Sequence, residues 1–300
     1  MTLSILIPTH NYTCYRLILE LQHQAERLGI DYEIILAEDG SRSQVSIIAN
    51  HKVVELPHCR HLIRRDNVGR AEIRNILARE SQGKWLLYID SDADAAANAN
   101  FLAQYMEATS VAPVVCGGYT APEHCPSPDH RLRYSYELYS VEKNRLECRM
   151  AHPYAHFSTF SFIIRRDVFL SVGFDASMCE YGHEDTIFGL TLKERGIAIH
   201  HIDNPLIHQG IDTNREFVEK TEMAVANVRR HAHKMGDTSQ LLQTMKRIER
   251  LHLMWALRIA ARLLRTPIRR RLVERGDSLR LLGIYKVLWM AGTGKANPKK

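Results

Sequence analysis

The sequence of 300 residues predicts a mixed α/β fold, in which helices flank a mostly parallel sheet and a helical region follows it. Three observations predict this fold class. Short runs rich in β-branched residues alternate with amphipathic stretches in the first third of the chain, as in β-α-β units. Polar and acidic residues directly follow the apolar runs. Beyond Asn214 the spacing of apolar residues is helical.

The first seven elements follow from the alternation itself. Leu3–Ile7 is a short apolar run that ends at a proline, and Tyr32–Ala37 is a second run of the same kind. An amphipathic stretch follows each run, which is the pattern of a strand connected to the next strand by a helix. We predict alternating strands and helices at Leu3–Ile7, Tyr12–Leu28, Tyr32–Ala37, Ser43–Asn50, His61–Arg64, Gly69–Ser81 and Lys84–Asp90.

The pattern loosens between Gly117 and Phe157, where prolines surround a predicted helix at Arg131–Arg145. Such a long excursion between regular elements is typical of a segment that covers a site. Regular elements then resume. We predict strands at Phe160–Arg165, Ile197–Ile202 and Pro205–His208, and helices at Asp167–Ser171, Gly182–Arg195, Arg215–Lys234, Thr238–Leu264 and Ser278–Met290, with a disordered tail at Gly292–Lys300.

Charge divides the chain into two parts. Residues 1–214 contain 20 Lys and Arg against 27 Asp and Glu, whereas residues 215–300 contain 20 against 7. We predict a catalytic domain at 1–214 and a basic helical region at 215–300. In that region Trp255, Ile259 and Leu263 alternate with arginines. This pattern fits peripheral contact with an anionic membrane surface, and it equally fits packing of the apolar stripe against the first domain.

Composition limits the protein class. A hydrophobic content of 45% is enough for a large core, and the six cysteines form no Cys-x-x-Cys pair, which favours a reducing compartment. The first apolar run has no basic residues before it and is too short for a signal peptide. No apolar run reaches the roughly 20 residues that span a bilayer. We therefore expect a cytoplasmic protein, at most peripheral at the inner face of the membrane.

The most informative segment is Trp85–Asp92, an apolar strand that ends in two carboxylates one residue apart. Asp90 and Asp92 project to the same side, because alternate residues of a strand share a face. Two carboxylates this close raise each other's pKa unless a cation neutralises them. A Mg²⁺ or Mn²⁺ ion that carries a diphosphate is such a cation. Without a metal, Asp90, Ser91 and Asp92 can equally be explained as a solvated strand end that caps the next helix.

Other strand ends also carry polar residues. Pro8–Asn11 follows the first strand, Glu38–Ser41 the second and Arg65–Asn67 the third. In open α/β sheets, ligands bind beyond the carboxyl ends of the strands. We therefore expect one polar and acidic site at this edge of the sheet.

Taken in order, these segments resemble the family 2 glycosyltransferases, which have the GT-A fold and use nucleotide-activated sugars. The resemblance covers about residues 3–210. It rests on the opening strand and turn, a nucleoside-binding turn, an Asn-x-Gly segment with an Ala-Arg-Asn-like segment, an Asp-x-Asp motif and a Glu-Asp acceptor motif. In this sequence they are Ser4–Asn11, Glu38–Ser41, Asn67–Gly69 with Arg74-Asn75, Asp90–Asp92 and Gly182–Asp185.

The resemblance implies roles on the donor side. Asp39 would accept a hydrogen bond from a uracil or comparable base, although an Asp-Gly turn explains the same residue. Asp90 would hold a ribose hydroxyl, and Asp92 would bind a metal ion that bridges both phosphates. A UDP-sugar is the expected donor. The implied nucleotide-sugar-binding residues are Pro8, Thr9, Asn11, Glu38, Asp39, Asn67, Arg74, Asp90, Ser91 and Asp92.

On the acceptor side, the resemblance implies a carboxylate at a helix start that takes the proton of the attacking hydroxyl. Asp185 is the expected base and Glu184 the residue that orients the acceptor; a capping pair is the alternative. His208 would complete the shell of a Mn²⁺ or Mg²⁺ ion together with Asp92. His183 replaces a tryptophan found in many family members, which changes the acceptor pocket.

The resulting hypothesis is a metal-dependent, inverting glycosyltransferase, of hexosyl or N-acetylhexosaminyl type, that acts on a saccharide or lipid-linked acceptor. A nucleotidyltransferase is one alternative, although no glycine-rich loop follows the first strand. A non-catalytic carbohydrate-binding or membrane-binding module is another. No nucleic-acid-binding module is recognisable. The sequence does not determine the donor sugar, the acceptor, the linkage or the oligomeric state.

Overall fold

The structure is a computed structural model that describes residues 1–178, 181–235 and 239–292. The chain forms two compact units. The first contains Met1–Pro122, Val141–Cys179 and Glu184–Gly210, and the second contains Glu123–Ser140, Glu180–His183 and Ile211–Lys300.

The first unit contains all the strands of the described residues. In chain order they are β1 Leu3–Thr9, β2 Tyr32–Asp39, β3 Cys59–Arg64, β4 Trp85–Ile89, β5 Ala93–Asp94, β6 Val114–Cys116, β7 Tyr119–Thr120, β8 Ser161–Arg165, β9 Ile199–His201 and β10 Leu206–His208. Seven of them form the central sheet, in the order β3-β2-β1-β4-β8-β6-β9. Strand β8 runs antiparallel to both of its neighbours, and the other pairs are parallel. The sheet is therefore mixed and mostly parallel.

Both units also contain helices. Those of the first unit are α1 Tyr15–Leu28, α2 Gln44–His51, α3 Arg70–Glu80, α4 Phe101–Ala108, α6 Leu146–Ala151, α7 Arg166–Val172 and α8 Glu184–Glu194. Those of the second unit are α5 Arg131–Lys143, α9 Asn214–Arg230, α10 Ala232–Met235, α11 Gln240–Arg250, α12 Met254–Arg275 and α13 Leu279–Gly292. Two 3₁₀ helices lie at Lys52–Glu55 and Pro128–His130.

Burial explains why the central strands are mostly apolar, although β2 also contains the buried acidic residues Glu33, Glu38 and Asp39. Every residue of β4 is buried, and so is every residue of β2. Strands covered on both faces consist of continuous hydrophobic residues, and only their ends can carry polar side chains toward solvent. The carboxyl ends of β1, β2 and β4 lie at the same edge, since these strands are parallel neighbours. That edge carries the candidate site.

A second, three-stranded sheet has the order β5-β10-β7. Strand β10 is antiparallel to β5, with His208 opposite Ala93. The sequence predicted β10 but neither of its partners, because two-residue strands carry too few residues to show a period. This small sheet attaches the segment after β10 to the segment after β4.

Most predicted elements of the first 214 residues are confirmed, with boundaries that differ by a few residues. The strand β6 and the helices α4 and α6 were not predicted. The prediction of one helix at Thr238–Leu264 was wrong: within the described part of that range, α11 ends at Arg250 and α12 begins at Met254. His252 between them has a φ of 56°, which no α-helix contains. The predicted tail lies beyond the described residues, except Gly292, which belongs to α13.

The second unit has its own core. Among the residues that the structure describes, six buried side chains form it, including Phe217 of α9, Leu272 of α12 and Tyr285 of α13. The Tyr285 hydroxyl donates to Oε1 of Glu222 at 2.6 Å, and Arg269 Nε donates to the same oxygen at 2.8 Å. Helices α9, α12 and α13 are thus joined by apolar packing and by two partly buried hydrogen bonds to Glu222.

Across residues 1–178, 181–235 and 239–292, no helix combines the length and the apolar run needed to cross a bilayer. Cys14 and Cys116 are buried free thiols, and Cys148 is an exposed one. Burial raises the pKa of the Cys116 thiol to about 12, so this thiol is a small apolar side chain of the core.

Candidate active site

The loops after β1 and β2 are joined by Asn11. This residue has a φ of 55°, in the left-handed region that asparagine tolerates better than most residues. Its Oδ1 accepts the backbone N–H groups of Arg42 at 2.7 Å and Ser43 at 2.9 Å, and its own N–H donates to Ser41 Oγ. Asn11 therefore fixes the loop after β1 against the loop after β2.

His10 connects the same loops. Its Nδ1 lies 2.8 Å from the backbone oxygen of Asp39, and its Nε2 lies 2.8 Å from Nδ2 of Asn11. This pattern assigns the ring proton to Nδ1, because a carbonyl oxygen only accepts and Nε2 must accept from the amide. Asn67, in the loop after β3, donates to the same Asp39 oxygen at 2.9 Å. Three strand ends therefore meet at one carbonyl.

Asp39 caps the start of α3. Its Oδ1 accepts the N–H of Val68 at 2.8 Å, and its Oδ2 accepts the N–H of Gly69 at 3.0 Å. Burial raises the pKa of Asp39, and these backbone hydrogen bonds oppose the shift. Both carboxylate oxygens thus have backbone partners, with lone pairs left for a further donor such as a base N–H.

Glu38 lies away from solvent and is fully buried. Its Oε1 accepts from Asn50 Nδ2 at 2.8 Å and lies 3.5 Å from His61 Nε2, and its other oxygen accepts from Ser41. Burial alone would raise the pKa of Glu38, but the hydrogen bonds from His61, Asn50 and Ser41 outweigh it and lower the pKa. The structure thus places this predicted nucleotide ligand inside a network of protein contacts.

Arg74 occupies the centre of the site. Only 1% of its surface is exposed. Its Nη2 donates to Asp90 Oδ1 at 2.6 Å, and its Nη1 lies 3.6 Å from Glu184 Oε1. Asp90 follows β4 and Glu184 begins α8, so one buried guanidinium joins the Asp-Ser-Asp motif to the Glu-Asp motif. Arg74, which was predicted to bind the nucleotide, thus contacts two carboxylates of the protein in the structure.

Aromatic rings hold Arg74 in place. Its guanidinium lies 5.7 Å from the ring centre of Phe174, within cation–π range. Phe174 in turn stacks on Phe188 of α8, with ring centres 4.2 Å apart. The hydroxyl of Tyr88 donates to the backbone oxygen of Arg74 at 2.9 Å. Helices α3 and α8 and strand β4 are thus packed around a single cation.

The two carboxylates after β4 have different environments. Burial raises the pKa of Asp90, and Arg74 opposes the rise. Burial would also raise the pKa of Asp92, but the hydrogen bond and the charge of His208, together with the charge of Arg70, outweigh it and lower the pKa. The side chains of the protein therefore supply part of the neutralising charge that the sequence motif requires.

Asp92 and His208 meet through the small sheet. The antiparallel pairing of β5 with β10 brings His208 Nε2 to 3.2 Å from Asp92 Oδ2. The rings of Phe160 and Tyr119 pack edge-on against the imidazole, with centres at 5.3 and 6.4 Å. Carboxylate and imidazole are donor types that hold Mn²⁺ or Mg²⁺. The two residues paired by prediction are thus neighbours in space.

Gly210 lies against this pair. A Cβ atom at position 210 would lie 2.1 Å from Asp92 Oδ2. A side chain at position 210 would therefore require the Asp92 carboxylate to move.

The start of α8 carries the two carboxylates that the sequence predicts on the acceptor side, Glu184 and Asp185. Glu184 is 5% exposed, and Asp185 Oδ1 accepts the N–H of Thr186 at 2.6 Å. Burial and the adjacent charge of Glu184 raise the pKa of Asp185 to about 6. A carboxyl with this pKa is ionised at neutral pH and is a stronger proton acceptor than an ordinary aspartate.

The candidate site therefore combines Arg74, Asp90, Asp92, Glu184, Asp185 and His208 at one edge of the sheet. Within the described ranges, no group of three or more His, Cys, Asp or Glu side chains is arranged to hold a metal ion. Any cation at Asp92 and His208 would need further ligands from a substrate or from water, which is usual for Mg²⁺ beside phosphates.

Comparison with known proteins identifies the family. The model of glycosyl transferase family 2 matches residues 4–173, more than half of the chain. The chain belongs to glycosyl transferase family 2. An uncharacterized glycosyltransferase of Haemophilus influenzae is 32% identical over 91 residues, which are 30% of this chain and 29% of that relative. Membership favours sugar transfer over the nucleotidyl transfer that the sequence left open.

Solved structures show that this family 2 glycosyltransferase has the GT-A fold. The chain is similar to mannosyl-3-phosphoglycerate synthase from Rubrobacter xylanophilus, with a TM-score of 0.55, 16% identity, and coverage of 80% of this chain and 77% of that one. It is also similar to a mannosyltransferase from Pyrobaculum calidifontis in complex with GDP-Man and Mn²⁺, with a TM-score of 0.52, 13% identity, and coverage of 97% and 85%.

Two features of the glycosyltransferase were not predicted as site residues. His10 carried no signal beyond its place after β1, and Gly210 could have been suspected only as a glycine shortly after a predicted ligand. Thr9 is 3% exposed and donates to the backbone oxygen of Tyr12 at 3.2 Å, so the structure shows it as part of the loop framework. The roles assigned to Pro8, Ser91 and Asn67 in substrate binding stay predictions.

Proposed function

We propose that this family 2 glycosyltransferase is a metal-dependent, inverting enzyme. It would transfer a hexosyl or N-acetylhexosaminyl group from a nucleoside-diphosphate sugar, with a UDP-sugar as the first choice, to a hydroxyl of a saccharide or lipid-linked acceptor. The observation that carries the proposal is the position of Arg74. Arg74 lies 2.6 Å from Asp90 and 3.6 Å from Glu184, so the carboxylate that would serve the donor and the one that would serve the acceptor share one cation.

The loops after β1, β2 and β3 would hold the nucleoside. The side chains of Asn11 and His10 fix the backbone there, and Asp39 keeps lone pairs free beyond its bonds to Val68 and Gly69. A base N–H donating to Asp39 and a ribose hydroxyl donating to Asp90 would then fix the orientation of the donor. Preorganised loops lower the entropy that is lost on binding.

Asp92 and His208 would hold the divalent cation, and their chemistry fits one. The carboxylate supplies hard oxygen and the imidazole supplies nitrogen, a combination suited to Mn²⁺ as well as Mg²⁺. Their atoms lie 3.2 Å apart, so both can face one ion after small adjustments. When bound, the cation would offset the negative charge of the departing nucleoside diphosphate. The structural neighbour in complex with GDP-Man and Mn²⁺ supports this assignment.

Asp185 would act as the base. As the acceptor oxygen forms its bond to the anomeric carbon, the bond from that carbon to the diphosphate oxygen breaks on the opposite face, which inverts the configuration. The hydroxyl proton passes to Asp185. Burial and the charge of Glu184 raise the pKa of Asp185 to about 6, close to the value that suits a base at neutral pH. Glu184, held by Arg74, would orient the acceptor.

Nucleotide release from a panel of nucleotide sugars, with Mn²⁺ and candidate acceptors, tests the reaction. Wild type should release nucleotide, and Asp92→Ala should reduce release by at least a hundredfold, because the leaving group loses its counter-charge. Asp167→Asn is the matched control, because its carboxylate is exposed and pairs with Arg165. Equal release from wild type and Asp92→Ala would contradict the metal assignment. The absence of release with every donor would contradict sugar transfer.

Binding of Mn²⁺ and nucleoside diphosphate can be measured separately by calorimetry. Wild type should bind the two ligands cooperatively, and His208→Ala should weaken Mn²⁺ binding without removing nucleotide binding. His124→Ala is the control, since this histidine lies at the surface with 85% of its side chain exposed. Unchanged Mn²⁺ affinity in His208→Ala would show that the His208 imidazole does not bind the cation.

A further inference from the structure

Helix α12 has apolar residues on two opposite sides. On one side Ala261 and Leu272 are buried, and Leu272 belongs to the core of the second unit. On the other side Trp255, Ile259 and Leu263 are 64%, 48% and 69% exposed. A spacing of four residues places these three side chains in one stripe along the helix. The exposed stripe is therefore additional to the residues that pack α12 into its own unit.

Two arginines flank this stripe. Arg258 and Arg262 are exposed and follow the apolar residues at helical spacing. In the part of the chain that the structure describes, neither has an acidic side chain within ion-pair distance. Farther along α12, Arg269 pairs with Glu222 at 2.8 Å and Arg270 with Glu274 at 2.8 Å. We call Trp255, Arg258, Ile259, Arg262 and Leu263 the outer face of α12. Its positive charge is uncompensated, unlike that of Arg269 and Arg270.

The turn before α12 extends the same surface in sequence. Leu251 and Leu253 are 66% and 46% exposed, and Arg250 at the end of α11 is exposed as well. Helix α12 itself contains seven arginines and one glutamate. Exposed tryptophan and leucine beside unpaired arginine is the composition of helices that lie in the interface of a bilayer.

We propose that the outer face of α12 binds the surface of an anionic lipid bilayer. Trp255, Ile259 and Leu263 would enter the boundary between headgroups and acyl chains, and Arg258 and Arg262 would contact lipid phosphates. Charge complementarity favours this occupant over a second copy of the chain. A symmetric dimer through this face would bring the same unpaired arginines together, and like charges repel. The inference goes beyond sugar transfer and does not depend on it.

Flotation of the full chain with lipid vesicles tests the proposal without measuring catalysis. Wild type should float with phosphatidylcholine vesicles that contain phosphatidylglycerol and should stay behind with pure phosphatidylcholine. Each basic residue near an anionic surface contributes a factor of about five to the partition coefficient. Arg258→Gln with Arg262→Gln should therefore lower partitioning about 25-fold. Trp255→Ser with Leu263→Ser should also lower it.

Arg16→Gln with Lys193→Gln is the matched control, because it removes two exposed charges from the first unit. This control should float like wild type. Circular dichroism and thermal unfolding should be unchanged in all three double variants, since every altered side chain is exposed.

Two results would overturn the proposal. One is equal flotation of wild type and both outer-face variants. The other is a concentration-dependent dimer in sedimentation equilibrium that the Trp255→Ser and Leu263→Ser changes dissociate, which would make the face a contact between copies.

Discussion

Arg74 Nη2 lies 2.6 Å from Asp90 Oδ1, and the arginine is almost completely buried. A buried ion pair is costly to break, because removal of one partner leaves the other charge without water or a counter-ion. Arg74 also faces Glu184, so two carboxylates depend on it. Arg74 therefore links the Asp-Ser-Asp motif to the first turn of α8, and Arg70 of the same helix adds a longer contact, 3.9 Å from Glu184 Oε1.

Replacing Arg74 tests this dependence. Arg74→Ala should lower the free energy of unfolding by about 3–5 kcal/mol, because Asp90 and Glu184 would lose their cation. Urea unfolding measures the change. Arg79→Ala on the same helix is the control; its pair with Glu72 at 2.6 Å is largely exposed and should contribute about 1 kcal/mol or less. If the two variants lose similar free energies of unfolding, the contacts of Arg74 stabilise the protein no more than an exposed ion pair does.

Gly210 gives a steric test of the candidate cation site. Gly210→Ala places a Cβ atom 2.1 Å from Asp92 Oδ2, so the carboxylate must move. We expect Mn²⁺ binding, measured by calorimetry with nucleoside diphosphate present, to weaken at least tenfold. Gly283→Ala is the control, because a Cβ at that helical position has no atom within 4 Å and should leave Mn²⁺ binding unchanged. Unaltered Mn²⁺ affinity in Gly210→Ala would argue against Asp92 as a ligand.

The pH dependence of transfer tests Asp185 as the base. Burial and Glu184 raise the pKa of Asp185 to about 6, so the ionised, active form is lost as the pH falls through about 6. Plots of kcat/KM against pH should show this acidic limb. Glu184→Gln removes a negative neighbour, so the pKa of Asp185 should fall and the limb should move to lower pH. Glu194→Gln, at the far end of α8, should leave the limb in place, and an unmoved limb in Glu184→Gln would exclude Asp185 as its source.

Asp39 provides a test of the loop framework. Asp39→Asn keeps one carbonyl acceptor but replaces the other with an amide donor, which cannot accept the N–H of Gly69. We expect a loss of about 1–3 kcal/mol in the free energy of unfolding, measured by urea denaturation. The exposed Asp66→Asn in the next loop should cost less than 0.5 kcal/mol. If Asp39→Asn has the same free energy of unfolding as wild type but no longer binds nucleotide, Asp39 contacts the nucleobase and does not stabilise the loops.

Periodicity and strand-end chemistry predicted much of the first unit. The apolar runs that became β1, β2 and β4 were long enough to show the period, and their polar ends were correctly expected at one edge. Shorter elements carried too little pattern, as β5 and β7 show. The sequence also did not indicate that β8 runs antiparallel to its neighbours, because a buried apolar strand has the same composition in either direction.

By itself the sequence determined the fold class, the family and the identity of the carboxylates at the strand and helix ends, since these follow from local patterns and ordered motifs. Only the tertiary structure decided which of these groups meet. Arg74 lies 16 positions before Asp90 and 110 before Glu184, and the sequence does not specify that its side chain points inward between them. The pairing of Asp92 with His208 in turn depends on the register of two very short strands. Contacts between distant residues follow from packing of the whole chain, which no local pattern encodes.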